Sequence, residues 1–354
     1  MKKVLITGAG GFIGSHLAKR LAEKGEEVTC LVRPASSAER LADSRVRLSY
    51  GDICVPSEME SVLDNLKIDI IFHLAGRTCA KNLEQFLEVN QGGTENLIHA
   101  VTKKCPKPPV LIYVSSLAVM GPSQSGELKR ETEIPEPISR YGKSKLAAEH
   151  VLVSVSDRIP VTVVRPGIVF GDTDLMNLEL FRTIQKTGLC PIPGWNDKRY
   201  SWIHVEDLVE LLLLAAESGE RLQPDSLTPK NCGYGVYFGV TVETLRLSEL
   251  GQEVGHALGR KRTLTLRCPP LVVLAVSSYY EFLKRTTGKD QPFDWDKAVE
   301  ARHNWVCCGQ KAREQFHFAP QCSFADRIHQ TVRWYQENGL LEPEFSCTGN
   351  ASAS

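Results

Sequence analysis

Short apolar, β-branched runs alternate with stretches of helical periodicity through the first half of the chain. The runs Lys3–Thr7, Val28–Val32, Val46–Tyr50, Ile68–Leu74, Val110–Ser115 and Val161–Arg165 are mostly continuous rather than alternating, as strands buried on both faces require. Between the first two, Ile13, Leu17 and Leu21 recur every four residues and mark one face of a helix. Further helices are predicted over Glu84–Lys103, Tyr141–Val153 and Leu175–Thr187. Repeated strand–helix units build a parallel sheet with helices on both faces. The predicted class is α/β, a doubly wound parallel sheet of Rossmann type.

Beyond about residue 170 the alternation breaks. Pro191, Pro193, Gly194 and Trp195 predict a loop. Val205–Glu217 reads as a helix, Gly233–Val240 as a strand, Leu247–Leu258 as a helix and Thr263–Arg267 as a strand. Helices follow near Leu271–Leu283, Asp294–Arg302 and Phe324–Asn338. Residues 1–170 are expected to form the sheet domain, with contributions from about 200–240. Residues 171–345 are expected to form mainly a smaller α+β lobe, and 346–354 a frayed polar tail.

The 354 residues are 42% hydrophobic, too apolar for a disordered chain and enough for a full core. Lys plus Arg is 42 and Asp plus Glu is 42. This balance argues against general nucleic-acid binding and leaves room for a local basic pocket. The 11 cysteines are scattered, with no CxxC pair, which reads as reduced thiols in a cytoplasmic protein. No His/Cys cluster marks a metal site. The apolar start runs into Gly8-Ala9-Gly10-Gly11, too soon for a signal peptide. Leu271–Leu283 is 13 residues long, where a membrane span takes about 20. The chain is expected to be soluble and at most peripheral to a membrane.

The strand Val4-Leu5-Ile6 enters Thr7-Gly8-Ala9-Gly10-Gly11-Phe12-Ile13-Gly14, and a helix follows. Gly8 suits the tight turn, Gly11 the close approach of a pyrophosphate, and Gly14 the packing of helix on strand. The N–H groups of the new helix then face an anion. An acid about 20 residues on would hold the 2′-hydroxyl of NAD. The second strand instead ends Leu31-Val32-Arg33-Pro34. A guanidinium there suits a 2′-phosphate, so Arg33 favours NADP and leaves NAD, with Arg33 an ordinary surface residue, as the alternative.

A second constellation begins where Leu111-Ile112-Tyr113-Val114 ends at Ser115-Ser116. Tyr141 and Lys145 lie four apart on one face of a predicted helix. Hydride exchange at a carbinol carbon needs a proton partner for the oxygen. A phenol near an ammonium can serve, because the cation stabilises the phenolate. A serine at a strand's C-terminal end can hold the substrate oxygen.

These residues stand within an ordered set of motifs: TGAGGFIG at 7–14, GDI at 51–53, FHLAG at 72–76, VN at 89–90, SSLAVMG at 115–121, YGKSK at 141–145, RPGIVFG at 165–171 and IHVEDLV at 203–209. The chain resembles the extended short-chain dehydrogenases/reductases of the NAD-dependent epimerase/dehydratase group, over about residues 1–220 and more weakly to Trp334-Tyr335. The resemblance implies Tyr141 as general acid/base, Lys145 as ribose ligand and Ser116 as the catalytic serine. It also implies cofactor contacts from Gly8, Gly11, Phe12, Ile13, Gly14, Asp52, Ile53, Leu74, Ala75, Gly76, Asn90, Pro166, Gly167 and Val169. Relatives often form homodimers through two helices per subunit, which a helix pattern alone does not show here.

Departures narrow the chemistry. Met120 stands where many sugar-nucleotide epimerases carry tyrosine, and Leu117-Ala118 replace the Asp-Glu pair of dehydratases. Arg165-Pro166-Gly167 is more like dihydroflavonol 4-reductases and 3β-hydroxysteroid dehydrogenases. The expected function is an NAD(P)-dependent oxidoreductase interconverting a secondary alcohol and a ketone of a small-molecule substrate. Trp195, Tyr200 and Trp202 suit an apolar substrate. The alternative is a nucleotide-sugar epimerase with tightly bound NAD, for which Asn177 and Arg199 resemble diphosphate-binding positions.

Overall fold

The computed structural model describes residues 1–34, 39–42, 45–64, 66–124, 127–287 and 295–343. The expected tail at 346–354 and the expected helix start at Asp294 lie outside them. Seven strands form the main sheet: β1 Lys3–Thr7, β2 Glu27–Val32, β3 Arg47–Tyr50, β4 Ile70–His73, β5 Val110–Val114, β6 Val161–Pro166 and β10 Val236–Gly239. Their order is β10-β6-β5-β4-β1-β2-β3, with every pairing parallel. The order reverses between β1 and β4, which opens a crevice at their C-terminal ends.

Both faces of this sheet are covered, which is why its inner strands are mainly apolar, whereas the edge strand β3 is Arg47-Leu48-Ser49-Tyr50 and only partly covered. One face packs on α1 (Phe12–Glu23) and α7 (Val205–Ser218), through Leu17, Leu21, Leu208 and Leu212. The other packs on α2 (Pro56–Leu63), α4 (Gly93–Lys104) and α5 (Arg140–Val153), through Met59, Leu97, Val101, Ala148 and Leu152. The helix expected over Glu84–Lys103 divides into α3 (Leu83–Leu87), a π turn over Glu88–Gly92, and α4. The π turn carries the buried Asn90.

A third core surrounds Phe170, Phe181, Trp202, Val254, Ile328 and Tyr335. It joins β7 (Ile168–Phe170), β8 (Leu189–Pro193), β9 (Arg199–His204) and β11 (Val242–Arg246) to α6 (Leu178–Thr187), α8 (Leu247–Ala257) and α12 (Phe324–Glu337). The remaining elements are β12 (Leu264–Cys268), α9 (Pro270–Thr287), α10 (Trp295–Glu300) and α11 (Gln310–Phe316). β7, β9 and β11 form a three-stranded sheet, and β8 pairs with β12.

The loop expected at Pro191 and Pro193 is a strand. β8 has one neighbour, and the Gly194 N–H donates to the Cys268 carbonyl at 2.7 Å. By alternation the prolines turn their missing N–H toward the unpaired side, the one place a strand tolerates proline.

Candidate active site

The ends of four strands and two helices converge on a cavity of about 700 Å³. β1 leads to Gly8, β4 to Leu74 and Gly76, β5 to Ser115 and Ser116, and β6 to Pro166 and Gly167. Gly8 has φ +72°, and a Cβ on it would stand 2.7 Å from the Ala75 nitrogen. Only glycine permits this contact between the two strand exits. Past Gly11, α1 begins with no side-chain cap and no acidic residue in its first turn. Phe12, Ile13 and Gly14 of that turn border the cavity. First-turn N–H groups have no partner within a helix and attract anions. The glycine turn and the uncapped helix end therefore fit the pyrophosphate of a dinucleotide.

The opposite wall is tied down from behind. Asn90 Oδ1 accepts the Arg77 N–H at 2.7 Å, while Nδ2 donates to the Arg77 carbonyl and to Ser144 Oγ. Asn90 thus joins the β4 exit to α5 without bordering the cavity itself. His73 sits between Thr7 Oγ1 at 2.7 Å and Thr94 Oγ1 at 3.0 Å. Thr94 donates to the Asn90 carbonyl, so it accepts from His73 Nε2–H, and Nδ1 accepts from Thr7. Burial, and secondarily Lys145, hold this imidazole neutral, with its pKa lowered to about 3.

α5 starts at a Ser139 cap, whose Oγ accepts the Gly142 N–H at 3.0 Å. A Cβ on Gly142 would collide with the Ala118 carbonyl oxygen. This close approach sets Tyr141 beside the turn that carries Ser116. Burial raises the Tyr141 phenol to about 12, a hydrogen bond from Ser116 pulls it down, and Glu300 and Cys79 push it up. The Lys145 ammonium donates to the Val114 carbonyl at 2.7 Å and lies 4.2 Å from the Tyr113 ring centre. Burial lowers its pKa to about 7, opposed by Glu149 one turn further on.

Ser115 and Ser116 face different partners. Ser115 Oγ donates to Glu149 Oε1 at 2.5 Å, and Glu149 takes two hydrogen bonds from the fully buried Arg165, at 3.0 and 2.5 Å. Ser116 Oγ accepts the Ala118 N–H at 3.2 Å, and its hydroxyl lowers the Tyr141 phenol pKa.

Val169 and Asn177 also border the cavity. The Asn177 amide is already engaged, donating to Asp174 Oδ2 at 2.6 Å and to the Val169 carbonyl. Arg199 is not on the cavity wall; its guanidinium reaches Thr244 Oγ1 at 3.4 Å. Arg33 and Asp52 lie beyond the cavity, along the same sheet edge. The Gly51 N–H donates to the Val32 carbonyl at 3.0 Å, so the two residues follow adjacent strand ends. Asp52 Oδ1 accepts the Cys54 N–H at 2.9 Å. Ile53 is buried against Gly93, and its carbonyl accepts from Asn96.

The aromatic group read from the sequence assembles only in part: Tyr200 and Trp202 meet edge-on, with ring centres 6.4 Å apart. Trp195 is 61% exposed, Trp202 is packed into the third core against Phe170, and Tyr200 alone borders the cavity. Trp305, Met176, Lys297 and Glu300 were not foreseen there. Lys297 and Glu300 belong to α10, which is anchored where Asp296 receives hydrogen bonds from Arg140 N and Nε, both at 2.9 Å. No local motif signals a contact across that span of sequence.

The model of the NAD dependent epimerase/dehydratase family matches residues 4–227, and the chain belongs to that family. It is 26% identical to the ceramide reductase of Caulobacter vibrioides, over 96% of each chain. It is 25% identical to a decarboxylating sterol-4-alpha-carboxylate 3-dehydrogenase of Saccharomyces cerevisiae, over 94% of this chain and 98% of that one. In fold it is similar to the UDP-glucose 4-epimerase of Thermus thermophilus solved with NAD. The TM-score there is 0.73 at 22% identity, covering 94% of this chain and 99% of that one.

Proposed function

We propose that the protein is an NAD(P)-dependent oxidoreductase that interconverts a ketone and a secondary alcohol on a large, mainly apolar molecule. The observation that carries this is that Ser116, Tyr141 and Lys145 line one cavity, with Lys145 one turn past Tyr141 on the same helix. A nicotinamide dinucleotide bound there would supply or accept the hydride. Gly8, Gly11 and the first turn of α1 would hold its pyrophosphate, Lys145 its ribose, and Pro166, Gly167 and Val169 its nicotinamide side. Arg33, Asp52 and Ile53 would serve the adenosine end.

A phenol ordinarily titrates near 10 and burial raises Tyr141 further, to about 12, so it holds its proton at neutral pH. A neutral phenol can give that proton to a carbonyl oxygen as it is reduced, and the phenolate can take it back in the reverse direction. Ser116 orients the same oxygen. The substrate side of the cavity is walled by Leu117, Ile168, Met176, Tyr200, Ala301 and Trp305, which supports a bulky apolar substrate. Two relatives matched over nearly their whole length are named for a ceramide and a sterol, both large and mostly apolar. The site holds no Asp-Glu pair beside Ser116, and Arg199 lies off the cavity wall, so dehydration and sugar-nucleotide epimerisation have less support.

The test is a panel of sterol, long-chain and flavonoid ketones with NADPH and NADH, followed by nucleotide absorbance and product mass. Reduction of one apolar ketone by two hydrogens is expected. Turnover of UDP-sugars to their epimers, with retained NAD and no ketone reduced, would replace this proposal with the epimerase.

A further inference from the structure

α9 packs on the rest of the chain by a narrow stripe. Val273 and Ser277 are buried, whereas Leu271, Val272, Val276 and Tyr279 are 79, 49, 42 and 59% exposed. Positions 272, 276 and 279 follow the i, i+4, i+7 spacing of a single outward face. β12, which leads into α9, adds Leu264 and Leu266 at 64 and 49% exposure. An apolar surface of this extent is uncommon on a protein that meets only water.

Along this stretch of the sequence the charge is one-sided. Residues 260–289 contain seven Lys or Arg and a single acid, Glu281, in a chain whose formal net charge is zero. Lys261, Arg262 and Arg267 are exposed beside β12, and Lys284, Arg285 and Lys289 follow in the sequence after the apolar face. No described helix is long and apolar enough to cross a membrane, and α9 has one side committed to packing. An apolar face with tyrosine on it and basic residues before and after it matches a helix lying in a bilayer interface, not across it.

We propose that α9 and β12 form a docking surface for an anionic phospholipid bilayer. Leu271, Val272, Val276 and Tyr279 enter the headgroup boundary, and Lys261, Arg262 and Arg267 meet the lipid phosphates. One helix, α10, stands between this surface and the cavity. α9 packs on α10, and Lys297 of α10 stands 4.0 Å from Met176 Sδ, a cavity residue 52% exposed. Docking would bring this wall of the cavity close to the lipid phase. The proposal rests on the surface alone and is independent of the reaction proposed above.

The experiment is cosedimentation of the full chain with phosphatidylcholine vesicles, with and without 30% phosphatidylglycerol (about one third anionic lipid). Three proteins are compared: wild type, Val272→Asp/Val276→Asp, and Lys261→Glu/Arg262→Glu/Arg267→Glu. Retained dinucleotide binding checks that each variant is folded. Wild type is expected to sediment with anionic vesicles and at least tenfold less with neutral ones. Both variants are expected to lose at least tenfold in partitioning. The proposal is overturned if wild type stays in the supernatant, or if the apolar variant sediments like wild type. It is equally overturned if wild type is an oligomer without vesicles and the apolar variant a monomer, since a second copy then covers the face.

Discussion

The Lys145 ammonium donates to the carbonyl of Val114 at 2.7 Å, the last residue of β5 before the two serines. One hydrogen bond thus ties the helix that carries Tyr141 to the strand that carries Ser116. Buried with few partners, the ammonium has its pKa lowered to about 7, so it changes charge near physiological pH.

Lys145→Met should impair both cofactor binding and turnover. In the wild type, the ammonium fraction falls as pH rises through about 7, so the reductive rate should decline across that range. The variant should lose this inflection along with most activity. Steady-state profiles from pH 5.5 to 9 test it, and an inflection that persists near 7 in the variant belongs to another group.

Tyr141→Phe keeps the ring and removes the proton. Cofactor titration should be unchanged, with kcat down by about 10²–10⁴-fold, the usual contribution of positioned acid/base catalysis. A rate within tenfold of wild type would remove Tyr141 from the mechanism.

Arg33→Ala should weaken NADPH by roughly 10- to 150-fold, since a charge-assisted pair contributes about 1.5–3 kcal/mol. NADH should be nearly unaffected. Arg33→Asp should go further, by repelling a 2′-phosphate and offering an acceptor to a 2′-hydroxyl. Equal weakening of both dinucleotides, or tighter NADH binding by wild type, would make the protein NAD-dependent and strengthen the epimerase reading.

Glu149 and Arg165 are 1 and 0% exposed in their side chains. Glu149→Gln leaves the buried guanidinium uncompensated, and breaking such a pair costs about 3–5 kcal/mol. Urea unfolding should show that loss. Glu149 also raises the Lys145 pKa, so the activity inflection should move to lower pH in the folded variant. A stability change without that movement would make the pair purely structural.

His73 stays neutral in the fold down to a pKa of about 3, against an ordinary value of 6.5. Between those values the unfolded chain binds a proton that the folded chain does not. Stability must therefore fall as pH falls from 6.5 toward 3, by up to about 1.4 kcal/mol per pH unit from this residue. His73→Gln should flatten that acid limb in urea titrations, and an unchanged limb would assign it to other groups.

The sheet was legible in the sequence because strands buried on both faces are apolar at most positions. β1, β2, β5 and β6 accordingly fall within a residue or so of their apolar runs. The glycine turn was legible for a similar local reason: left-handed backbone at Gly8 and the contact with Ala75 admit no side chain. Tyr141 and Lys145 were readable as a pair because four residues make one helical turn. Pro191 and Pro193 misled because proline forbids a strand only where its N–H would be needed, and whether it is needed depends on a neighbour. Trp195 and Trp202 misled because nearness along a chain does not decide which way a side chain turns. What only the tertiary structure decided is the far wall of the cavity, where α10 and Trp305 meet residues more than a hundred positions earlier. The Asp296–Arg140 pair that anchors α10 carries no local pattern. Its ends are distant in sequence, and packing of the whole chain brings them together.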